Sequence, residues 1–307
     1  MTLTKLAQLA HVSVSTVSKA FSMSPEIHSE TRELIFKIAK EQGCFKKYYK
    51  IKYPKLVIAV ICPEFKYADA VSALQQHLEE LGCEICVAST NFSAKTEMEL
   101  LEYYDRYTEV DGVIIIDGNT ETEGIYDLPV AAICCPKAMI NVELNDDGAI
   151  KEAVDYFKAQ GAEKIAFIGE PLAYKRAAFF EKHCPEGIVQ TAQSRFERGG
   201  YQAMEKLFES GNLPRAIICA YDYMAMGAIR CIFDHGLSVP EDVAVMGINN
   251  IHHCSYLNPP LSSIDLQINE GCCLAADALL AHIRGEEHRS SIKVASKIHY
   301  RKSTELN

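Results

Sequence analysis

The sequence predicts an α/β protein in which a small all-α head precedes a body of two doubly wound parallel-sheet lobes. Three observations carry this. Within the first 43 residues, apolar side chains recur at helical spacing between residues that cap helices. From Leu56 onward, short runs apolar on both faces alternate with amphipathic stretches, the pattern of parallel sheets covered on each side by crossover helices. The charge divides at the same place: residues 1–55 carry ten Lys/Arg against four Asp/Glu, and the remaining 252 carry 21 against 37, so a head of +6 precedes a body of -16. Such a split suits a DNA-binding module attached to something that does not touch DNA.

In the head, Leu3, Leu6, Ala7 and Ala10 form one stripe behind Thr2, which stands where an N-cap belongs. Ser13 can cap a second helix whose Val17, Ala20 and Phe21 face the first, leaving Val14, Ser15, Thr16, Ser18 and Lys19 outward. Small hydroxyls ending in a cation fit a major groove lined with phosphates. Pro25 keeps the next loop out of helix, a third helix begins at Ser29 and Glu30 with Leu34, Ile35, Ile38 and Ala39 as its inner face, and Gly43 ends it. The following CFKKYYKIKYPK holds Lys46, Lys47, Lys50, Lys52 and Lys55, has no helical apolar stripe and is broken by Pro54, which marks a basic linker.

Candidate strands in the body are 56–61, 84–89, 112–116, 130–134, 164–169, 216–220 and 243–247; helices lie near 68–82, 95–107, 147–160, 173–183, 198–210, 223–235 and 268–284. The domains are then 1–45 for the head, 46–55 for the linker, and 56–307 for the body, with lobe 1 at about 56–138 and 266–293 and lobe 2 at about 139–265 and 294–307. Ligands of such folds bind beyond the carboxyl ends of strands, which points to a cleft between lobes. No apolar run approaches membrane-spanning length and no export signal opens the chain, so a soluble cytoplasmic protein is expected. The twelve cysteines lie mostly inside apolar runs such as AAICC and AIICA, as small hydrophobes do in a reducing compartment. Neither the lone Cys83/Cys86 pair nor His252–Cys254 has a second half with ligand spacing, so no metal and no cofactor are expected.

VSVSTVSKAF at Val12–Phe21 is close to a VSxxTVSR segment, and His28–Ile35 to SxxTRExI; DGVIII, KIAFIG, YDYMAMGAIR, GLSVPEDVAVMGINNI and YLNPPLSSI follow in matching order. On these motifs the chain resembles the lactose-repressor (LacI/GalR) family of bacterial transcription regulators, nearly end to end. The resemblance implies a homodimer whose two heads read a near-palindromic double-stranded operator, and a periplasmic-binding-protein-like body that senses a small molecule, such as a sugar or sugar derivative. It puts Val14, Ser15 and Lys19 on bases, and Ser13, Thr16, Ser18 and Thr2 on phosphates or the helix start. Arg176 falls where the family has the arginine of RxxGF, and Glu64, Tyr67, Asp222 and Asn249 occupy other strand-end positions of the sensing site. Asp222 can equally be an ordinary helix cap.

This chain departs from the pattern at several points. His11 replaces the turn glycine, Asn249 the aspartate of GFDD, Phe179 the glycine of RxxGF, and PEFKY the usual NPFF. In place of a YxPNxxARxL hinge with its leucine wedge, only Ile51 is aliphatic, so Lys46, Lys47 and Lys50 are read as gripping phosphates with little bending. The leading function is a ligand-responsive repressor; the alternative is an enzyme or solute-binding protein whose helical head does not bind DNA. Against catalysis, GxSxG, Walker, GxGxxG and HExxH motifs are all missing.

Overall fold

A computed structural model describes residues 1–49, 55–64, 67–118, 120–135 and 137–306, and for Lys46 the backbone alone. The head opens with α1 (Leu3–Leu9), α2 (Val14–Phe21) and α3 (Ser29–Glu41). Leu6, Ala7, Ala10, Val17, Ala20, Phe21, Ile35 and Ala39 are buried together, as their spacing requires. Leu34, expected on the inner face of α3, is instead 47% exposed: next to Ile35, it lies off the stripe that Ile35 and Ala39 define.

The linker reading needs correction at its start. Phe45–Tyr48 forms a helical turn, α4, in which Phe45 and Tyr48 project three residues apart toward the head. Phe45 meets Phe36 edge-on at 5.0 Å and stacks on Tyr49 at 4.8 Å, while Tyr48 donates a hydrogen bond to the Met1 carbonyl at 2.8 Å. Aromatic burial therefore extends the head to Tyr49. Lys50, Ile51 and Lys52, on which the wedge and phosphate readings rest, lie outside the described residues.

The chain then divides into two compact units, Met1–Glu143 with Gly271–Ile292 and Leu144–Glu270 with Lys293–Asn307. The body part of the first unit is a six-stranded sheet of β1 (Leu56–Cys62), β2 (Cys83–Ser89), β3 (Gly112–Ile116), β4 (Val130–Ile133), β5 (Ile140–Leu144) and β11 (Ser291–Val294), in the order β11-β5-β4-β3-β1-β2. The strands β1 to β5 run parallel, with Ile115 opposite both Ile61 and Ala132. The crossovers of this sheet include α5 (Ala68–Glu80) and α6 (Ala94–Tyr107), and α11 (Ile268–Arg284) packs on it as the chain returns from the second unit; a Cβ at Gly112 would meet Leu279 of α11 at 3.1 Å. Because β5 pairs with β4, the chain leaves this unit at 143/144, five residues later than read from sequence.

The second unit repeats the plan with β6 (Ile165–Gly169), β7 (Ile188–Thr191), β8 (Ala216–Cys219), β9 (Ala244–Ile248), β10 (Ser262–Asp265) and β12 (Lys297–His299), ordered β12-β10-β9-β8-β6-β7. All pairs in the described register are parallel except β10 with β12. Its helices are α7 (Asp146–Ala159), α8 (Tyr174–His183), α9 (Phe196–Glu209) and α10 (Asp222–Asp234). Glycine is required where α9 and α10 touch: a Cβ at Gly227 would lie 1.8 Å from the Glu197 carbonyl oxygen, and one at Gly200 would lie 1.9 Å from that of Met224.

Candidate functional site

Capping chemistry shapes the head. Thr2 Oγ1 accepts the Lys5 N–H at 3.3 Å, and Ser13 Oγ accepts the Thr16 N–H at 3.0 Å. The Ser13 and Thr16 hydroxyls also meet at 2.8 Å. Thr2, Ser13 and Thr16 are thus engaged in starting helices. Between α1 and α2, His11, which stands where the family has a turn glycine, takes φ 53°, in the left-handed region. With Val17, Ala20 and Phe21 buried, the opposite face of α2 presents Val14, Ser15 and Ser18 to solvent, and Val14 is 42% exposed despite being apolar. Lys19 closes this face and pairs with Glu26. Lys47 is exposed on α4, its ammonium 5.6 Å from the Tyr48 ring.

In the second unit, neighbouring strands β6, β8 and β9 end beside one another. Arg176 on α8 donates from Nε to Asp146 at 2.7 Å and from Nη1 to the Ala220 carbonyl at 2.6 Å, with its guanidinium 5.3 Å from the Tyr221 ring. The Asp222 carboxylate is engaged inside the protein. It is 1% exposed, accepts the Ile251 N–H at 2.8 Å and the Ser263 hydroxyl at 2.5 Å, and caps no helix, since Tyr221 holds the N-cap position. Burial lifts its carboxyl to about 7, against the pull of Ser263, Ile251, Cys254 and Arg176. Its role is to tie α10 to the chain leaving β9. That chain turns sharply, Asn249 at φ 105° and Asn250 at φ 49°. The Asn249 N–H bonds the Ile264 carbonyl at 2.8 Å and its side chain is half-buried. Asn250 accepts from Arg301 at 2.9 Å and donates to Asp265 at 3.3 Å.

Sequence reasoning missed a second guanidinium–carboxylate pair at these strand ends. Glu170, directly after β6, is buried and takes Arg195 Nε on both oxygens, at 3.1 and 2.9 Å. The signal available was its place immediately behind KIAFIG. Arg195 lies in turn 4.7 Å from the Phe196 ring, which meets Tyr223 at 5.9 Å. In the first unit, Tyr67 donates to Asp117 at 2.6 Å where β3 ends, and the Glu64 carbonyl accepts the Tyr67 N–H at 3.3 Å.

Residues 2–44 match the model for bacterial regulatory proteins of the lacI family, and 154–304 that for a periplasmic binding protein-like domain. The chain belongs to the lacI family. It is 26% identical to the probable HTH-type transcriptional repressor ExuR of Bacillus subtilis, covering 94% of each chain, and 28% identical to the ribose operon repressor of Haemophilus influenzae, covering 95% of each. Its fold follows that of a Lac repressor dimer solved with operator and the anti-inducer ONPF, at a TM-score of 0.72, 21% identity and 99% coverage of both chains. This lacI-family protein is a DNA-binding, ligand-responsive transcriptional regulator.

Proposed function

We propose that this regulator is a repressor that binds a near-palindromic operator as a homodimer and changes its grip when a small neutral, hydroxylated effector binds. The observation carrying the DNA half is the capped α2, with Val14, Ser15, Ser18 and Lys19 on one outward face of a basic head. In this reading Val14, Ser15 and Lys19 meet base edges, Lys46, Lys47 and Lys50 serve phosphates, and Thr2, Ser13, Thr16 and Ser18 serve phosphates or the helix starts. Two heads then read half-sites about one helical turn apart. The protein acts in the cytoplasm and regulates rather than catalyses; among the described residues, no helix is long and apolar enough to cross a membrane.

In the second unit the effector site is built from Arg176 and Asn249 beside the buried Asp222; in the first unit Glu64 and Tyr67 are the candidate effector residues. What supports a neutral ligand is charge balance. Arg176 already faces Asp146, and Arg195 faces Glu170, so a second anion would compete with an existing carboxylate. A sugar or sugar derivative suits donors of this kind beside the Tyr221, Tyr223 and Phe196 rings, and Asn249 can both donate and accept. An effector that favours one conformation shifts operator affinity by its differential binding alone.

Footprinting on operators selected from randomised duplex tests the first half: paired protections one turn apart are expected, and a monomer on a single non-repeated site overturns it. Thermal shift across neutral and anionic metabolites tests the second, since a ligand at 100 times its Kd stabilises by about 2.7 kcal/mol. Stabilisation by anionic compounds alone overturns the neutral effector.

A further inference from the structure

Lys19, the one cation on the exposed face of α2, already has a partner in the free head: its ammonium bonds a Glu26 carboxylate oxygen, with side chains 45% and 65% exposed. The loop carrying Glu26 is fixed. Arg32 Nη2 donates to the Ser24 carbonyl at 2.7 Å and to the Ile27 carbonyl at 3.0 Å. The Ser24 N–H bonds back to the Lys19 carbonyl at 3.0 Å, the Glu26 N–H reaches the Ser24 hydroxyl at 3.4 Å, and Ile27 packs on the head core. These bonds use the loop's backbone, Ser24 and Arg32, so the Glu26 carboxylate is left with Lys19. A negative charge is thereby stationed beside the last turn of a helix whose neighbours would be phosphates.

We propose that Glu26 is a specificity-determining residue: it holds the Lys19 ammonium until a base edge takes its place, so that Lys19 counts toward the operator and not toward arbitrary DNA. This rests on reading α2 as the helix that enters the groove. Non-specific binding is made of cation–phosphate contacts, each adding about -0.9 to the slope of log affinity against log salt. An ammonium already neutralised by a carboxylate adds little to that sum, and the carboxylate itself repels phosphate. At the operator, the O6 and N7 acceptors of a guanine offer Lys19 a fixed pair of oxygen and nitrogen partners that a phosphate surface does not. The exchange is not prohibitive, because exposed ion pairs shift an equilibrium only about 1.4- to 5-fold.

The test compares full-length wild type, Glu26→Gln, Lys19→Ala and the double variant on a selected operator and on random-sequence duplex of equal length, through a salt series. Glu26→Gln should tighten random-duplex binding about 2- to 5-fold and steepen its salt slope by about 0.9, one extra phosphate contact, while the operator gains less. Without Lys19, the same substitution should leave the slope unchanged. The proposal is overturned if Glu26→Gln leaves random-duplex affinity and slope as they were, or if the full gain survives in the Lys19→Ala background, where Glu26 would be a repulsive charge and nothing more. Lys19→Ala with undiminished operator affinity overturns the groove-entry reading as well; a weakened operator complex beside a silent Glu26→Gln overturns the role of Glu26 alone.

Discussion

Asp222→Asn should remove a pH-dependent loss of stability that the wild-type protein carries. The carboxyl is 1% exposed and burial raises it from its usual 3.8 to about 7. A raised carboxyl binds its proton more tightly in the folded state, so its contribution is fully present below about pH 4, declines as pH rises, and is gone above about 7. At about 1.36 kcal/mol per pKa unit, the two units between pH 5 and 7 amount to roughly 3 kcal/mol lost by pH 8. Asparagine carries no charge, can accept the Ile251 N–H through its oxygen, and can donate to Ser263, so the tie between α10 and the β9 exit survives. Urea denaturation of both proteins at pH 5 and pH 8 reads the effect, because every other titrating group cancels in the difference. Asn should be near wild type at pH 5 and clearly the more stable at pH 8. If the two pH profiles run parallel within about 0.5 kcal/mol, a scatter usual for distant independent effects, then the charged form is comfortable in its hydrogen bonds and the argument from burial fails.

Gly227→Ala should destabilise at or beyond the about 1–3 kcal/mol typical of overpacking, since its Cβ would sit 1.8 Å from the Glu197 carbonyl oxygen and force α9 from α10; an unchanged melting temperature refutes the contact. Arg176→Ala should weaken effector binding about ten- to a hundred-fold, from the about 1.5–3 kcal/mol of a charged hydrogen bond, and leave effector-free operator binding intact; an unaltered effector Kd would make Arg176 a strut between Asp146 and the Ala220 carbonyl. His11→Gly should stabilise the head by roughly 0.5–1 kcal/mol, the left-handed strain relieved less the extra backbone entropy of glycine, with no change in operator affinity at low temperature; slower amide exchange in α1 and α2 is the readout, and faster exchange contradicts it.

The head and the central strands were legible because their signals are local and periodic. Thr2 and Ser13 cap what they were expected to cap, and His11 takes the left-handed turn. Runs such as GVIII and AIIC, apolar on both faces, sit mid-sheet and are buried at every position. The strands that escaped notice, β5, β7, β10, β11 and β12, are short and carry polar or half-exposed residues, as in INVEL, IVQT and SIKV. Such strands belong to the sheet through backbone pairing with a neighbour, which composition does not announce. The turn at Phe45 was hidden for a related reason: in CFKKYYKIKYPK the lysines dominate the count, while Phe45, Tyr48 and Tyr49 are placed by Phe21 and Phe36, on helices that end before the stretch begins.

The candidate effector site was legible as positions and not as roles, and the reason is electrostatic. Asp222 and Asn249 could be named because they follow strands, and Arg176 because it falls at the arginine of the family's RxxGF motif. Whether such a group faces a ligand depends on what else claims its hydrogen bonds, and those claimants come from far along the chain: Asp146 reaches Arg176 across 30 residues, Arg195 reaches Glu170 across 25, and Ser263 reaches Asp222 across 41. A buried carboxylate or guanidinium must be paired to be tolerated at all, so each pairing removes a charge from the surface offered to an effector. The same logic applies in the head, where seven residues separate Lys19 from Glu26. An α2 read from its own sequence shows a free cation; the folded head shows one held by a carboxylate. Which side chains a helix exposes follows from periodicity, but which of their charges are available to a partner is decided by the loops that fold back beside it.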